Sequence, residues 1–219
     1  MNKWLALLGV AAWAGSVSAG SALANDQEFV IGLGVGIHTF SETDDVRQGS
    51  GTFADNSDEI TQAGMVQLYG EWYLLNEVGF GLRFISLNGG RTYSSSVAEL
   101  KQEVNINARF ITVHWVPLGS EDYVRMGVMG GLGAASYEAK ETFSDSTGQF
   151  GGDFEESEST TGSASLAGIY VDWGAEGFGA RFGVNVISTN LDPIEIAGEE
   201  LEVDGSGAAW YFDLRWAFE

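Results

Sequence analysis

The chain holds few groups that could do covalent chemistry. It has two histidines, His38 and His114, and no cysteine, which excludes thiolate nucleophiles, disulfides and Cys-built metal sites. Ser41 and Glu42 follow His38 closely, but a nucleophile and its base need hydrogen-bond reach, which sequence proximity does not supply. No catalytic residue is assigned, and the chain is not read as an enzyme. Gly32-x-Gly34-x-Gly36 lacks the G-x-G-x-x-G spacing and following helix of a dinucleotide fingerprint, so no cofactor-binding residue is assigned either.

Carboxylates are the abundant groups. Asp and Glu number 31 against 10 Lys and Arg, for a net charge of −21. That balance excludes nucleic acid as a partner, because phosphate contacts need basic side chains. Six acids fall in each of three runs, 41–60, 141–160 and 188–207. Such an oxygen-rich crown offers weak binding to Ca²⁺ or Mg²⁺, yet no run has EF-hand spacing, and no metal ligand is assigned.

A third set is sparser and better ordered: Glu71, Arg83, Glu103, Arg109, Arg125, Asp172, Arg181, Asp213 and Arg215. Their positions follow from the elements that carry them. Met1-Asn2-Lys3, an apolar run from Trp4 to Ala14, and Ser21-Ala22-Leu23-Ala24 have the order of a secretory signal peptide. Residues 1–24 are therefore read as a cleaved leader and 25–219 as the folded domain, with Ala19 a second possible cleavage site. Beyond residue 28 the period is two. Phe29, Ile31, Leu33, Val35 and Ile37 alternate with Gly, and Trp210, Phe212, Leu214, Trp216 and Phe218 alternate with smaller or polar residues. Similar segments at 62–74, 79–88, 101–115, 123–138, 163–173 and 178–187 bring the total to eight strands, each long enough to cross a bilayer at a tilt.

The connections alternate too. Short ones are expected near 75–78, 116–122 and 174–177, and long polar ones near 41–61, 88–100, 139–162 and 188–207. An antiparallel meander with short turns on one side and long loops on the other is the pattern of an outer-membrane barrel. The fold class read from the sequence is all-β, an eight-stranded antiparallel up-and-down transmembrane barrel. Gly79-Phe80-Gly81-Leu82-Arg83-Phe84 returns as Gly177-Phe178-Gly179-Ala180-Arg181-Phe182, a shift of four strands that supports the register.

Sorting the residues by face gives one apolar and one polar side. The apolar side, read as lipid-facing, takes in Val66, Leu68, Phe80, Leu82, Val124, Met126, Ile169 and Phe182, with Val104, Ile106 and Phe110 on the fourth strand. The polar side takes in the nine charged residues, Tyr69, Tyr73, Tyr123, Tyr170, Tyr211, Asn105, Asn107 and many glycines. An eight-stranded barrel is only wide enough for its own side chains or one small ligand. Buried charges must be paired, so Arg–carboxylate and Tyr contacts are expected to plug the lumen. Trp72, Trp115, Trp173, Trp216 and Phe218 cluster beside the short turns and Trp210 lies towards the opposite rim; these are the expected membrane-interface aromatics.

On these features the chain resembles the small outer-membrane β-barrels of Gram-negative bacteria, the OmpA/OmpX/OmpW-like group, over residues 26–219. Members usually end on an aromatic residue read by the barrel assembly machinery, whereas Glu219 follows Phe218 here. The resemblance implies a monomer in the outer membrane, contact with outer-membrane lipid and lipopolysaccharide, and insertion by that machinery. The group also contains enzymes that modify lipid A, whose catalytic residues do not carry over. The expected function is structural or surface-related. A narrow portal for small, even apolar, molecules and loop-mediated adhesion are the two alternatives.

Overall fold

Alternating side chains become strands because a pleated chain sends successive Cβ atoms to opposite faces. The computed structural model describes residues 28–41, 60–75, 77–94, 98–119, 123–145, 147, 152–174, 177–196, 199–201 and 204–218. The expected signal peptide and the acids Glu42 to Glu59 lie outside the described residues. Strands are β1 (Glu28–Phe40), β2 (Gln62–Leu75), β3 (Val78–Ser94), β4 (Ala98–Leu118), β5 (Val124–Asp145), β6 (Phe154–Trp173), β7 (Gly177–Leu191), β8 (Ile194–Ile196), β9 (Glu199–Leu201) and β10 (Gly207–Phe218).

Eight of them close into one antiparallel ring, β1-β10-β7-β6-β5-β4-β3-β2. The ring is sealed where β1 meets β10, from Phe29 opposite Phe218 to Phe40 opposite Gly207. Closure leaves no unpaired edge around the ring. β8 and β9 form a small ribbon of their own, inside the connection from β7 to β10. The short turns join β2 to β3, β4 to β5 and β6 to β7, as the spacing of the sequence led us to expect. At two of them Gly119 and Gly174 have φ of 70° and 83°, a left-handed backbone that residues with a Cβ rarely adopt.

Two connections differ from expectation. The segments around 88–100 and 139–162, read as long loops, are mostly strand. β3 and β4 stay paired out to Ser94 opposite Glu99, and β5 and β6 out to Phe143 opposite Phe154. The alternation signal fades there because small and polar residues fall on both faces of β3, β5 and β6. Strands of 17, 21, 22 and 20 residues thus carry β3–β6 well past β1 and β10.

The face assignment of β4 is also corrected. Burial alternates without interruption from Ala98 to Val116, so all odd residues of β4 share one side. Ile111 and Val113 are 68% and 44% exposed on the outside. Glu103, Asn105, Asn107 and Arg109 therefore face outward as well, while Val104, Ile106 and Phe110 are buried inside. Composition had suggested the reverse, because it assumed a single polarity along the whole strand. In fact the barrel changes character along its axis. Near the short turns its exterior is apolar and its interior charged. Towards the other end the exterior is polar and the interior holds an apolar core of Ile85, Leu87, Ile106, Phe110, Leu166 and Ile187.

Candidate functional site: the charge network in the lumen

Each strand delivers its ionisable residues inward at the level where its outer face is apolar. Glu71 on β2 is the hub. Its carboxylate accepts hydrogen bonds from Arg181 Nη1 and Nη2 at 2.5 and 2.8 Å, Arg83 Nη2 at 3.1 Å and the Tyr73 hydroxyl at 3.0 Å. His114 Nε2 lies 3.5 Å from the same carboxylate and 2.9 Å from Thr112 Oγ1. Arg181 also donates from Nε and Nη2 to Asp172 at 2.6 and 3.0 Å, so one guanidinium joins two acids across the lumen.

The network continues to both sides. Arg83 Nη1 donates to Gln67 Oε1 at 2.9 Å, and Gln67 Nε2 donates to Asp213 at 2.6 Å. Arg125 forks onto Glu28 at 2.5 and 3.1 Å, and Arg125 and Arg215 each lie 3.7 Å from Asp172. Arg215 donates to the Gly174 carbonyl in the β6–β7 turn. Glu71, Arg83, Arg181 and Asp213 are all at most 1% exposed. Fork-to-carboxylate pairing suits such desolvated ions because it satisfies several donors at once.

Tyrosines complete the packing. Arg83 lies 4.5 Å from the Tyr69 ring centroid and Arg181 4.0 Å from that of Tyr170, which adds cation–π attraction where water is excluded. The rings need room, and glycines opposite them supply it. Tyr69 pairs with Gly32, Tyr170 with Gly127 and Tyr211 with Gly183. A Cβ on any of these glycines would come within 2.1–2.4 Å of the facing ring. Gly therefore sits where the inward Tyr must lie flat against the wall.

Of the nine charged residues expected in the lumen, Glu71, Arg83, Arg125, Asp172, Arg181, Asp213 and Arg215 come together there. Glu103 and Arg109 do not. Both face outward on β4: Glu103 pairs with Lys101 at 2.7 Å, and Arg109 is exposed. Glu28 and His114 belong to the network although the sequence reading did not assign them to it. Their parity was the available signal: Glu28 shares the face of Val30 and Gly32, and His114 that of Thr112. With Glu28 counted and Arg109 removed, Arg83, Arg125, Arg181 and Arg215 face Glu28, Glu71, Asp172 and Asp213, and the lumen is neutral by formal charge.

The expected aromatics lie on the outside. Trp72, Trp173, Trp210, Trp216 and Phe218 are 39–58% exposed, and Trp115 is half-buried. Trp216 stacks on Phe218 with ring centroids 6.1 Å apart. Tyr123, which the sequence reading placed on the inner face, is 72% exposed, because it precedes the first residue of β5. Neither ring nitrogen of His38 hydrogen-bonds a side chain among the described residues, so no Ser or acid there forms a catalytic pair with it. Among the described residues, no group of three or more His, Cys, Asp or Glu could hold a metal ion.

No protein-family model matches the chain, and no curated protein matches its sequence. Solved structures do resemble it. Ail, the attachment invasion locus protein of Yersinia pestis, solved with the heparin analogue sucrose octasulfate, gives a TM-score of 0.54 at 14% identity, over 88% of this chain and 99% of that one. A second structure of Ail gives 0.51 at 16% identity over the same shares. A major outer membrane protein of Thermus thermophilus gives 0.51 at 9% identity, over 88% of this chain and 100% of that one. At these identities the likeness is one of fold. Ring closure, an apolar exterior and a lumen plugged by ion pairs agree with it, and the fold is that of a small eight-stranded, antiparallel, up-and-down transmembrane β-barrel.

Proposed function

We propose that the protein is a non-conducting surface barrel. Its membrane-spanning part anchors and stiffens, and its β3–β6 extension is presented to the outside. One observation carries this reading: Arg181 joins Glu71 and Asp172 across the lumen, where a solute would have to pass. Bridging ions held by several short hydrogen bonds do not part for a diffusing molecule without leaving charges uncompensated. Polyanions of the kind bound to Ail suit this exterior poorly, since Glu99, Glu103, Glu138 and Glu155 line the outer strands. Export through the signal peptide of residues 1–24, insertion by the barrel assembly machinery and contact with lipopolysaccharide as a monomer complete the proposal.

The test is single-channel recording and liposome swelling with refolded mature protein. A closed lumen gives no steady openings and no uptake of small sugars. Reproducible long-lived openings from heat-modifiable, fully folded protein would overturn the reading.

A further inference from the structure

Following the outward residues from the short turns to the opposite end locates a boundary on β1–β3 and β5–β7. On β3 the exposed Phe80, Leu82 and Phe84 give way to Ser86 and Asn88. On β5 Leu132 gives way, past Ala134, to Ser136; on β6 Ile169 and Ala167 to Ser165 and Ser163; on β7 Val186 to Ser188 and Asn190. Thr39 on β1 and Gln62 on β2 follow Ile37 and Val66 in the same way. A collar of neutral hydroxyl and amide groups thus borders the lipid-facing band on six of the eight ring strands, while β10 ends on the apolar Trp210 and Ala208. These side chains hydrogen-bond without charge, as a headgroup layer requires.

β4 breaks the pattern. Between the lipid-facing Ile111 and the collar residue Asn107 stands Arg109, exposed and outward. It sits opposite Phe84 on β3 and Ala134 on β5. Among the described residues it makes no ion pair and no side-chain hydrogen bond. The other outward cations with described side chains lie higher and are paired: Lys101 with Glu103 at 2.7 Å and Lys140 with Glu155 at 2.8 Å. Four further arginines are buried inside the lumen. In a chain of −21, an unpaired guanidinium at the border between lipid and water is conspicuous.

We propose that Arg109 holds the phosphate of an outer-leaflet lipid, with the Asn and Ser side chains of the collar beside it meeting the polar headgroup. The inference rests on the outer-membrane reading above and goes further by naming the contact. Three properties support it. The site is continuous with the lipid-facing band, so a lipid is already present there. A guanidinium is more weakly hydrated than an ammonium and forks onto phosphate oxygens. Its aliphatic stem covers apolar surface while the head reaches the interface, where an arginine costs far less than at the bilayer midplane.

The test compares wild-type protein with Arg109→Gln and Arg109→Lys, refolded in phosphatidylcholine nanodiscs. Bisphosphorylated lipid A, its monophosphoryl form and inorganic phosphate are the probes. Retention of lipid A is read by native mass spectrometry, and affinity by titration. Wild type should bind the bisphosphorylated lipid about tenfold more tightly than Arg109→Gln, the worth of one charge-assisted pair at a wet interface. Arg109→Lys should fall between them. The monophosphoryl form should narrow the gap between wild type and Gln, and inorganic phosphate should not compete. Equal binding by wild type and Arg109→Gln overturns the proposal. So does displacement by inorganic phosphate, which would make this an anion site indifferent to lipid. Loss of lipid from wild type and Gln alike on chelation of divalent cations would likewise assign the contact to metal-bridged carboxylates. Failure of the membrane reading would look different, since wild type itself would then stay folded and monodisperse without detergent or nanodisc.

Discussion

Glu71 and Arg181 stand 110 residues apart in the chain, yet they meet through two hydrogen bonds of 2.5 and 2.8 Å inside the barrel. The pair lies on strands that the ring places well apart, β2 and β7, so it ties opposite parts of the wall together. Replacing Glu71 by Ala leaves Arg181 and Arg83 without their shared acceptor. Urea unfolding in detergent should then show a loss of about 3–5 kcal/mol, the usual cost of stranding a buried charge. An unchanged midpoint would mean the interior is wet enough to solvate both guanidiniums.

The fit between glycine and tyrosine makes a second prediction. A Cβ on Gly32 would come within 2.1 Å of the Tyr69 ring, so Gly32→Ala must displace an arginine-stacked side chain and should cost about 1–3 kcal/mol. Gly70→Ala is the control. Its Cβ would meet only Phe29, at 3.7 Å, and stability should hold within about 0.5 kcal/mol.

Much of this architecture is written in the sequence, and the exceptions have physical reasons. Strand number, ring closure between the first and last long strands, and the inward Arg83, Arg181 and Asp213 all follow from period-two alternation beside short turns. β4 was misread above Ile111 because its solvent changes there. Ile106 and Phe110 look like lipid-facing residues until parity is carried through from Val113. The hairpin ends of β3, β5 and β6 were hidden because Gly, Ser, Thr and Glu fall on both faces there and blur the alternation, although Leu100 and Phe143 stay buried. Glu28 was missed because it sits at the very start of β1, where too few residues precede it to set a phase.

Ile106 is 1% exposed within the apolar core, whereas Leu132 is 54% exposed on the outside. Ile106→Ala should cost about 2–5 kcal/mol, and Leu132→Ala less than about 1 kcal/mol, because lipid refills the space. Equal costs would return Ile106 to the exterior.

An arginine scan along the outward side of β4 should find the membrane border. Val113→Arg places a cation within the apolar band and should cost about 2–4 kcal/mol in folding equilibria from lipid vesicles. Asn107→Arg lies on the far side of Arg109 and should be neutral within about 1 kcal/mol. A flat profile across Asn107, Ile111 and Val113 would mean that the band ends elsewhere.

The overhang of β3–β6 decides which neighbours sense the carboxylates. Glu99 lies ten residues along β4 from Arg109, roughly 33 Å of strand and about 25 Å of height at the usual tilt. Ionic screening at physiological salt extends only about 8 Å. Carboxylates at the tip are therefore screened from anything held at the level of Arg109 and fully felt by whatever arrives from the medium. Cations approaching the overhang from outside meet Glu99 and Glu155 before they meet the rest of the wall.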